Sequence, residues 1–285
     1  MIQVYPSPEQ FLHDMQPLLE KDEAATSLIL GLSMQMQQQA MPHKARFFGL
    51  LEGRRAVGCA MQTAPDKGLL LWARPHNYAR FCVEMLPYLV ERAPHFPKVL
   101  GPEPLAADFA TAYARSLGMS SFMELNQGVY RLDEVALPPA APGRLRTAQP
   151  EDLLTLTRWT LDFAWEAMQD ALPRHEAEIM VAAKISRGQL YVWENGQPVC
   201  MAGFARPTRN GVSIHYVYTP PPFRGRGYAS NCVALLSQYL LHEQHFAFCT
   251  LFTDLNNPIS NHIYQKMGYR QIAHFATYAF MKNEH

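Results

Sequence analysis

The stretch Val217-Tyr218-Thr219-Pro220-Pro221-Pro222-Phe223-Arg224-Gly225-Arg226-Gly227-Tyr228-Ala229 decides how the chain is read. It has the order of a β-strand, a proline-rich exit, a glycine-containing loop and the start of a helix. Such a loop aims several backbone N–H groups at one spot, and the helix N-terminus adds positive potential. That arrangement suits a pyrophosphate. Gly225 and Gly227 let the backbone approach phosphate oxygens without Cβ clashes. Arg224 and Arg226 add the capacity for charge-assisted contacts. Pro220 to Pro222 suit the exit because proline has no N–H to leave unpaired. Taken alone, the loop is equally compatible with an ordinary basic turn that caps a helix. The Gly-x-Gly-x-x-Gly of dinucleotide folds is missing here, as is the Lys-Ser/Thr pair of nucleotide triphosphatases.

Downstream of the loop, Ala229 to His242 reads as a helix with Val233, Leu236, Leu240 and Leu241 on one side. A strand over 246–253, a helix over 258–267 and a last strand over 275–281 follow. Upstream, Gln149-Pro150-Glu151-Asp152 opens a helix, with acids where the dipole favours them. Between that helix and the loop lies a meander. Leu190-Tyr191-Val192-Trp193-Glu194-Asn195-Gly196 leads to Pro198-Val199-Cys200-Met201-Ala202-Gly203, then Pro207, then Val212-Ser213-Ile214-His215-Tyr216-Val217.

The first half of the chain echoes this meander. Phe47-Phe48-Gly49-Leu50-Leu51-Glu52-Gly53 leads to Ala56-Val57-Gly58-Cys59-Ala60-Met61, then Pro65, then Leu69-Leu70-Leu71-Trp72. Each copy reads as strand, tight turn, strand, turn, strand, with Glu52-Gly53 or Asn195-Gly196 at the first turn. The linker Leu137-Pro138-Pro139-Ala140-Ala141-Pro142-Gly143 separates the halves. The reading is therefore α+β, as two copies of one unit, with lobes over 1–136 and 144–285.

Composition bounds the function. The 285 residues carry 25 Lys plus Arg against 25 Asp plus Glu, so no basic excess exists to neutralise a phosphate backbone, and nucleic acid is not an expected partner. No apolar run approaches the ~18–20 residues that span a bilayer, so no membrane partner is expected. Met1-Ile2-Gln3-Val4-Tyr5-Pro6 has no basic segment followed by an apolar one, and no signal peptide is expected. Cys59, Cys82, Cys200, Cys232 and Cys249 are widely spaced in apolar contexts, without the pairing that marks zinc. They read as reduced thiols of a cytoplasmic protein, and no metal is expected.

Arg224-x-x-Gly227-x-Ala229 resembles the Gln/Arg-x-x-Gly-x-Gly/Ala signature of the GNAT superfamily of N-acyltransferases. A second element, Asn257-Pro258-Ile259-Ser260-Asn261-His262-Ile263-Tyr264-Gln265-Lys266-Met267-Gly268-Tyr269, resembles that family's Asn-x-x-Ala-x-x-x-Tyr-x-x-x-Gly-Phe/Tyr helix, with Ser260 in place of Ala. The resemblance covers roughly 144–282. The whole chain resembles the bacterial two-lobed members, in which Val-Tyr-Thr-Pro-Pro and Asn-Pro-x-Ser-Asn recur.

The resemblance implies tandem GNAT-like lobes, each a mixed, mostly antiparallel sheet flanked by helices. It implies acetyl-CoA as cofactor, transfer of the acetyl group to an amine acceptor in a ternary complex, and a small molecule or peptide as that acceptor. Cofactor contacts then fall on Val217, Tyr218, Thr219, Arg224, Gly225, Arg226, Gly227, Tyr228, Ala229 and Asn257. In the family, the strand before the loop splays from its neighbour, and its free backbone pairs with pantetheine. Tyr264 matches the family's proposed general acid, since a phenol near the departing sulfur can protonate it.

Several GNAT enzymes use a Glu on the strand before the loop as base. Here Gly211-Val212-Ser213-Ile214-His215-Tyr216-Val217 carries no carboxylate. His215 is the substitute, and water is the other route. Trp165, Glu166, Trp193 and Tyr278 are candidates to line an acceptor cleft, although each type is more often core or ordinary surface. The first lobe has Ala73-Arg74-Pro75-His76-Asn77-Tyr78 where the second has its loop, without paired glycines, and is expected to bind no CoA. Two other functions fit parts of the pattern: an acyl-CoA-responsive regulatory module without turnover, and aminoacyl transfer from aminoacyl-tRNA by tandem lobes. Oligomeric state is left open by the sequence.

Overall fold

A computed structural model describes residues 1–38, 45–92, 96–168 and 171–283. In chain order the first ten elements are β1 (Ile2–Tyr5), α1 (Pro8–Leu19), α2 (Ser27–Gln38), β2 (Arg46–Glu52), β3 (Arg55–Gln62), β4 (Leu69–Ala73), α3 (Tyr78–Arg92), β5 (Lys98–Pro102), α4 (Glu103–Ser116) and β6 (Met119–Leu132). The next ten are β7 (Arg144–Thr147), α5 (Leu153–Met168), α6 (Arg174–Ser186), β8 (Leu190–Glu194), β9 (Pro198–Ala205), β10 (Gly211–Tyr218), α7 (Tyr228–His242), β11 (Phe248–Asp254), α8 (Pro258–Lys266) and β12 (Arg270–Lys282). The second ten repeat the first ten element for element: strand, two helices, three strands, helix, strand, helix, strand. The meander echo in the sequence is thus an echo of the whole fold, which is α+β.

The chain forms two compact units. One comprises Met1–Tyr130, Phe252–Asn257 and Gln271–His285; the other comprises Arg131–Leu251 and Pro258–Arg270. The last strand of the second repeat thereby belongs to the unit built by the first.

In the first unit the strands run in the order β1-β2-β3-β4-β5-β12-β6. Neighbours from β1 to β4 are antiparallel, β4 and β5 are parallel, and β5 pairs with β12 antiparallel. Helices cover both faces, which explains the near-continuous apolar runs in its strands. Successive side chains alternate between the two sides. Phe47, Cys59, Met61, Leu70 and Trp72 pack with Phe11, Met15 and Leu30 of α1 and α2. Phe48, Ala60, Leu69 and Leu71 pack with Phe81, Leu89, Phe109 and Tyr113 of α3 and α4.

In the second unit the order is β11-β10-β9-β8-β7. β7 through β10 are antiparallel, and β10 and β11 are parallel. One face is covered by α5 and α6, through Leu156, Trp159 and Val181 against Leu190, Val192, Met201 and Tyr218. On α7, which packs against β8 and β9, Cys232, Val233, Leu236 and Leu240 are buried. The linker is tied to this unit: Asn231 Nδ2 donates to the Pro139 carbonyl at 3.0 Å, and Trp193 Nε1 donates to the Pro142 carbonyl at 2.8 Å.

Candidate functional site

The site begins with an irregularity in β10. Its ladder with β9 pairs Ser213 with Ala205, Ile214 with Phe204 and His215 with Gly203, then resumes only at Tyr218 with Met201. Ala202 therefore faces two residues, Tyr216 and Val217. This is a β-bulge, which locally disrupts pairing and re-aims side chains. Tyr216 takes the left-handed conformation, φ +55°, at a cost of ~1–2 kcal/mol for an L residue. Its ring is held by Phe163 at 5.9 Å between centroids and by the Lys184 ammonium 4.9 Å from the ring centre. On the other edge of β10, the register with β11 covers only Gly211–Ser213 against Phe248–Thr250. From Ile214 onward the strand is laddered on its β9 side alone, and at the bulge that ladder is interrupted as well. Val217 is half-buried within this gap.

The loop follows directly. Phe223 N–H donates to the Pro220 carbonyl at 2.9 Å, and Arg224 N–H to the Pro221 carbonyl at 3.2 Å, closing a single tight turn. Gly225 and Gly227 both take positive φ, +75° and +77°. Gly227 is the N-cap of α7, and its carbonyl accepts the Asn231 N–H at 3.1 Å. The backbone N–H groups of Gly225, Arg226, Gly227, Tyr228 and Ala229 find no acceptor among the described residues. Unpaired amides in a loop of this kind are donors that an anion could take up. Tyr228 is buried, and its hydroxyl accepts from Asn195 Nδ2 at 3.0 Å, so the β8–β9 turn braces the start of the helix.

The two loop arginines differ. Arg224 Nε donates to the Thr219 carbonyl at 2.8 Å, its Nη2 is ion-paired with Glu166, and its guanidinium stacks 5.6 Å from the Tyr218 ring centre. Glu166 also accepts from the Tyr218 hydroxyl at 2.8 Å. Burial works to raise the Glu166 carboxyl, but the hydrogen bonds from Tyr218 and Arg224 outweigh it and bring it below its ordinary range. Burial, with Glu166 beside it, pushes the Tyr218 phenol up to about 12. Arg224 is therefore a strut between α5 and the loop, while Arg226 is exposed and has no ion-pair partner among the described residues. The Thr219 hydroxyl is buried without a hydrogen bond among the described residues.

Tyr264 lies on α8, half-buried, with its ring edge-on to Tyr269 at 5.9 Å. Its hydroxyl has no hydrogen-bond partner among the described residues and lies within electrostatic reach of the Cys200 thiol. Cys200 precedes Met201, the residue that faces Tyr218 where the β9–β10 ladder resumes. Burial holds the Tyr264 phenol well above its ordinary value, so it keeps its proton at neutral pH. Asn257 stands one residue before α8, its N–H donating to the Asp254 carbonyl at 3.0 Å, and belongs to the Phe252–Asn257 segment of the other unit.

His215 is half-buried, and Lys184 Nζ lies 3.1 Å from its Nε2. Burial, then the charges of Lys184 and Arg206, keep its pKa well below 6.5, so the ring is neutral at physiological pH. A neutral ring beside an ammonium accepts at Nε2, which turns its lone pair toward Lys184. Sequence reasoning found His215 but missed both cations. Lys184 stands on the last turn of α6 and Arg206 in the chain after β9, neither in a motif. Of the other cleft candidates, Trp193 is buried, Tyr278 is in the first unit with its hydroxyl on Glu103, and Trp165 is 66% exposed. All five cysteines are free thiols, no group of three His, Cys, Asp or Glu among the described residues is placed to hold a metal, and no described helix is long and apolar enough to cross a membrane.

This β-bulge, glycine loop and helix fall within a stretch that matches a known family: residues 154–269 fit the model of the Acetyltransferase (GNAT) family. Over these residues the chain is similar to GNAT domains. Acyl transfer is the general chemistry of that family. A comparison with curated proteins found no match. Solved structures extend the likeness of fold to nearly the whole chain. A GNAT-family acetyltransferase from Colwellia psychrerythraea is 16% identical, with 99% of this chain and 100% of that one covered and a TM-score of 0.59. A tandem GNAT protein from the clavulanic acid biosynthesis pathway is 12% identical, with both chains covered in full and a TM-score of 0.61. A GCN5-related N-acetyltransferase from Sphaerobacter thermophilus is 14% identical, covering 97% of this chain and 94% of that one, with a TM-score of 0.63. The chain thus shares the tandem GNAT fold.

Proposed function

We propose that the chain is an acetyl-CoA-dependent N-acetyltransferase with one active site, in the GNAT domain, acting on a small-molecule or peptide amine in the cytoplasm. The observation that carries this reading is the gap in β10 followed at once by the row of unpaired amides from Gly225 to Ala229. A pantetheine arm needs a strand edge to lie along, and a pyrophosphate needs converging N–H donors. Two further features fit such a ligand. Among the described residues the Thr219 hydroxyl has no hydrogen-bond partner, and the space beside Gly225 is open, with no atom other than those of its chain neighbours within 4 Å of where a Cβ would stand.

Val217, Tyr218 and Thr219 would hold the cofactor arm by backbone bonds. The loop amides and the Gly225, Arg226 and Gly227 backbone would hold the pyrophosphate, with Tyr228 and Ala229 opening the helix whose dipole faces it. Arg224 would act through Thr219 and Tyr218, and Asn257 would contact the cofactor by analogy with the family. When bound, acetyl-CoA supplies the acyl group as an activated thioester. Tyr264 would hold its proton at Oη for the departing sulfur, a role suited by a hydroxyl that burial keeps protonated. The acceptor amine loses its proton to water or to His215. Of the two, water is the more direct route while Lys184 occupies Nε2.

The first unit has Pro75–Asn77 in a tight turn and α3 beginning at Tyr78 at the position of the loop, and no glycine lies between Ala73 and Tyr78. That difference supports a single cofactor site, with the first lobe in a structural role. Calorimetry with acetyl-CoA and a thiol-release assay over amines, amino acids and peptides test the reading. One binding site per chain and acceptor-dependent thiol release are the expected outcomes. Binding without release from any acceptor would favour a regulatory module.

A further inference from the structure

The residues around His215 form a charge arrangement that the acyl-transfer reading does not use. Lys184 Nζ lies 3.1 Å from His215 Nε2 and 4.9 Å from the centre of the Tyr216 ring. Arg206 follows β9 directly, with φ +53°, a left-handed conformation that an L residue rarely adopts. Its Nε is buried and makes no hydrogen bond among the described residues. Burial and the Arg206 and Arg187 charges depress Lys184 to about 8, and burial depresses Arg206 to about 10. Among the described residues, neither Lys184 nor Arg206 is in an ion pair, unlike Arg146, Arg224 and Arg131 of the same unit.

Lys184 and Arg206 are half-buried, and cations drawn even partly out of water are ordinarily paired, because losing hydration without a counter-charge is costly. Two left-handed residues, Arg206 and Tyr216, hold this cluster in place, and such strain concentrates at ligand sites. His215 and Tyr216 lie directly before Val217, where the gap in β10 opens. The cluster is thus continuous with the point where an acceptor would meet the acyl group.

We infer that Lys184 and Arg206 bind an anionic oxygen group on the acceptor, a carboxylate or a phosphate, so that the substrate is an amine bearing a negative charge. This rests on the acyl-transfer reading of the neighbouring loop. Arg206 offers its planar fork, and Lys184 a point charge beside the His215 ring. As an anion engages Lys184, the ammonium is drawn from Nε2 and the His215 lone pair is released toward the amine. The acceptor would thereby complete the site that deprotonates it.

The test uses the full chain at constant ionic strength with CoA in excess, and acetate or inorganic phosphate as probe. One of the two is expected to raise the melting temperature of the parent over chloride, and the rise to be lost in Lys184→Met and in Arg206→Gln. The effective probe tells carboxylate from phosphate. Equal response of parent and both variants, or no response to either probe, overturns the inference. In turnover, amino acids are compared with their carboxamides, and O-phosphoethanolamine with ethanolamine. The anionic member of a pair is expected to have at least a tenfold higher kcat/KM, falling at least tenfold in Arg206→Gln. Equal kcat/KM for charged and neutral members overturns it. Acetyl-CoA affinity, measured separately by calorimetry, is expected to be unchanged in both variants. A chain that binds the probe anions but no acetyl-CoA defeats the acyl-transfer reading and leaves the anion site standing.

Discussion

Lys184 Nζ lies 3.1 Å from His215 Nε2, and among the described residues neither side chain is paired with a carboxylate. The ammonium is held on α6 against a ring that cannot take up a proton near neutrality, since burial and the neighbouring charges keep His215 well below 6.5. This pair sets the local electrostatics beside the bulge in β10.

Lys184 makes stability depend on pH in a defined direction. Its pKa falls from 10.5 to about 8 in the folded chain, chiefly by burial. Between those values the unfolded chain binds a proton that the folded chain has released, so stability rises with pH across this window. Below about 8 the full cost of the buried charge is present. Lys184→Met removes that cost and is expected to stabilise the apo protein near pH 7 by about 2 kcal/mol, from a shift of this size at ~1.4 kcal/mol per pH unit discounted for partial exposure. The advantage should shrink steadily up to pH 10. Urea unfolding of both proteins at pH 7, 8.5 and 10 measures it, and a constant difference would rule out Lys184 as its source.

The loop makes separable predictions for its glycines and arginines. At Gly227, with φ +77° and the unpaired amides around it, Glu adds strain, bulk and a negative charge where phosphate is expected. Gly227→Glu should abolish acetyl-CoA binding in calorimetry. Arg226 is exposed, so Arg226→Ala should weaken binding only ~3–10-fold, as expected for loss of an exposed charge contact. That loss should diminish with added salt. Arg224→Ala should instead lower stability, because Glu166 and Tyr218 lose their shared partner.

Tyr264→Phe removes a hydroxyl that has no partner among the described residues and keeps the ring against Tyr269. The fold and acetyl-CoA affinity should be nearly unchanged, while kcat falls by about a hundredfold, the lower range for loss of a positioned acid. Because burial holds this phenol above 10, no descending limb from Tyr264 is expected between pH 6 and 9. Steady-state rates in parent and variant check both points. An unaltered kcat would remove Tyr264 from the mechanism.

The residues that were legible in the sequence are those whose role is set by the local backbone. Gly225 and Gly227 announced a turn of positive φ before α7, and Asn195-Gly196 announced a hairpin. The apolar runs of the two meanders predicted strands, and all six appear. Lys184 and Arg206 were illegible because their importance lies in what they lack. A half-buried cation looks like any lysine or arginine until packing shows that no carboxylate of the described residues pairs with it. The strut role of Arg224 was hidden likewise, since Glu166 is 58 residues away in sequence. Nor did β12 reveal that it pairs with β5, because alternation specifies a strand and not its neighbour.

The start of β10 offers a stability test independent of function. Gly211 opens the parallel register with β11, opposite Phe248. A Cβ added there would meet the Phe248 ring at Cε2 and Cζ, inside contact distance. The ring has little room to yield: it is buried, and the Arg131 guanidinium lies 4.3 Å from its centre on one face. The Gly211 backbone is also fixed, its N–H donating to Thr208 Oγ1 at 3.2 Å and its carbonyl accepting from the same hydroxyl at 3.1 Å. Gly211→Ala should therefore cost about 1–3 kcal/mol by overpacking. Phe248→Leu in the same chain frees the space, so the double variant should be more stable than the sum of the single effects. Urea unfolding of the four proteins completes the cycle. Strict additivity would show that the Phe248 ring is not what opposes the new methyl.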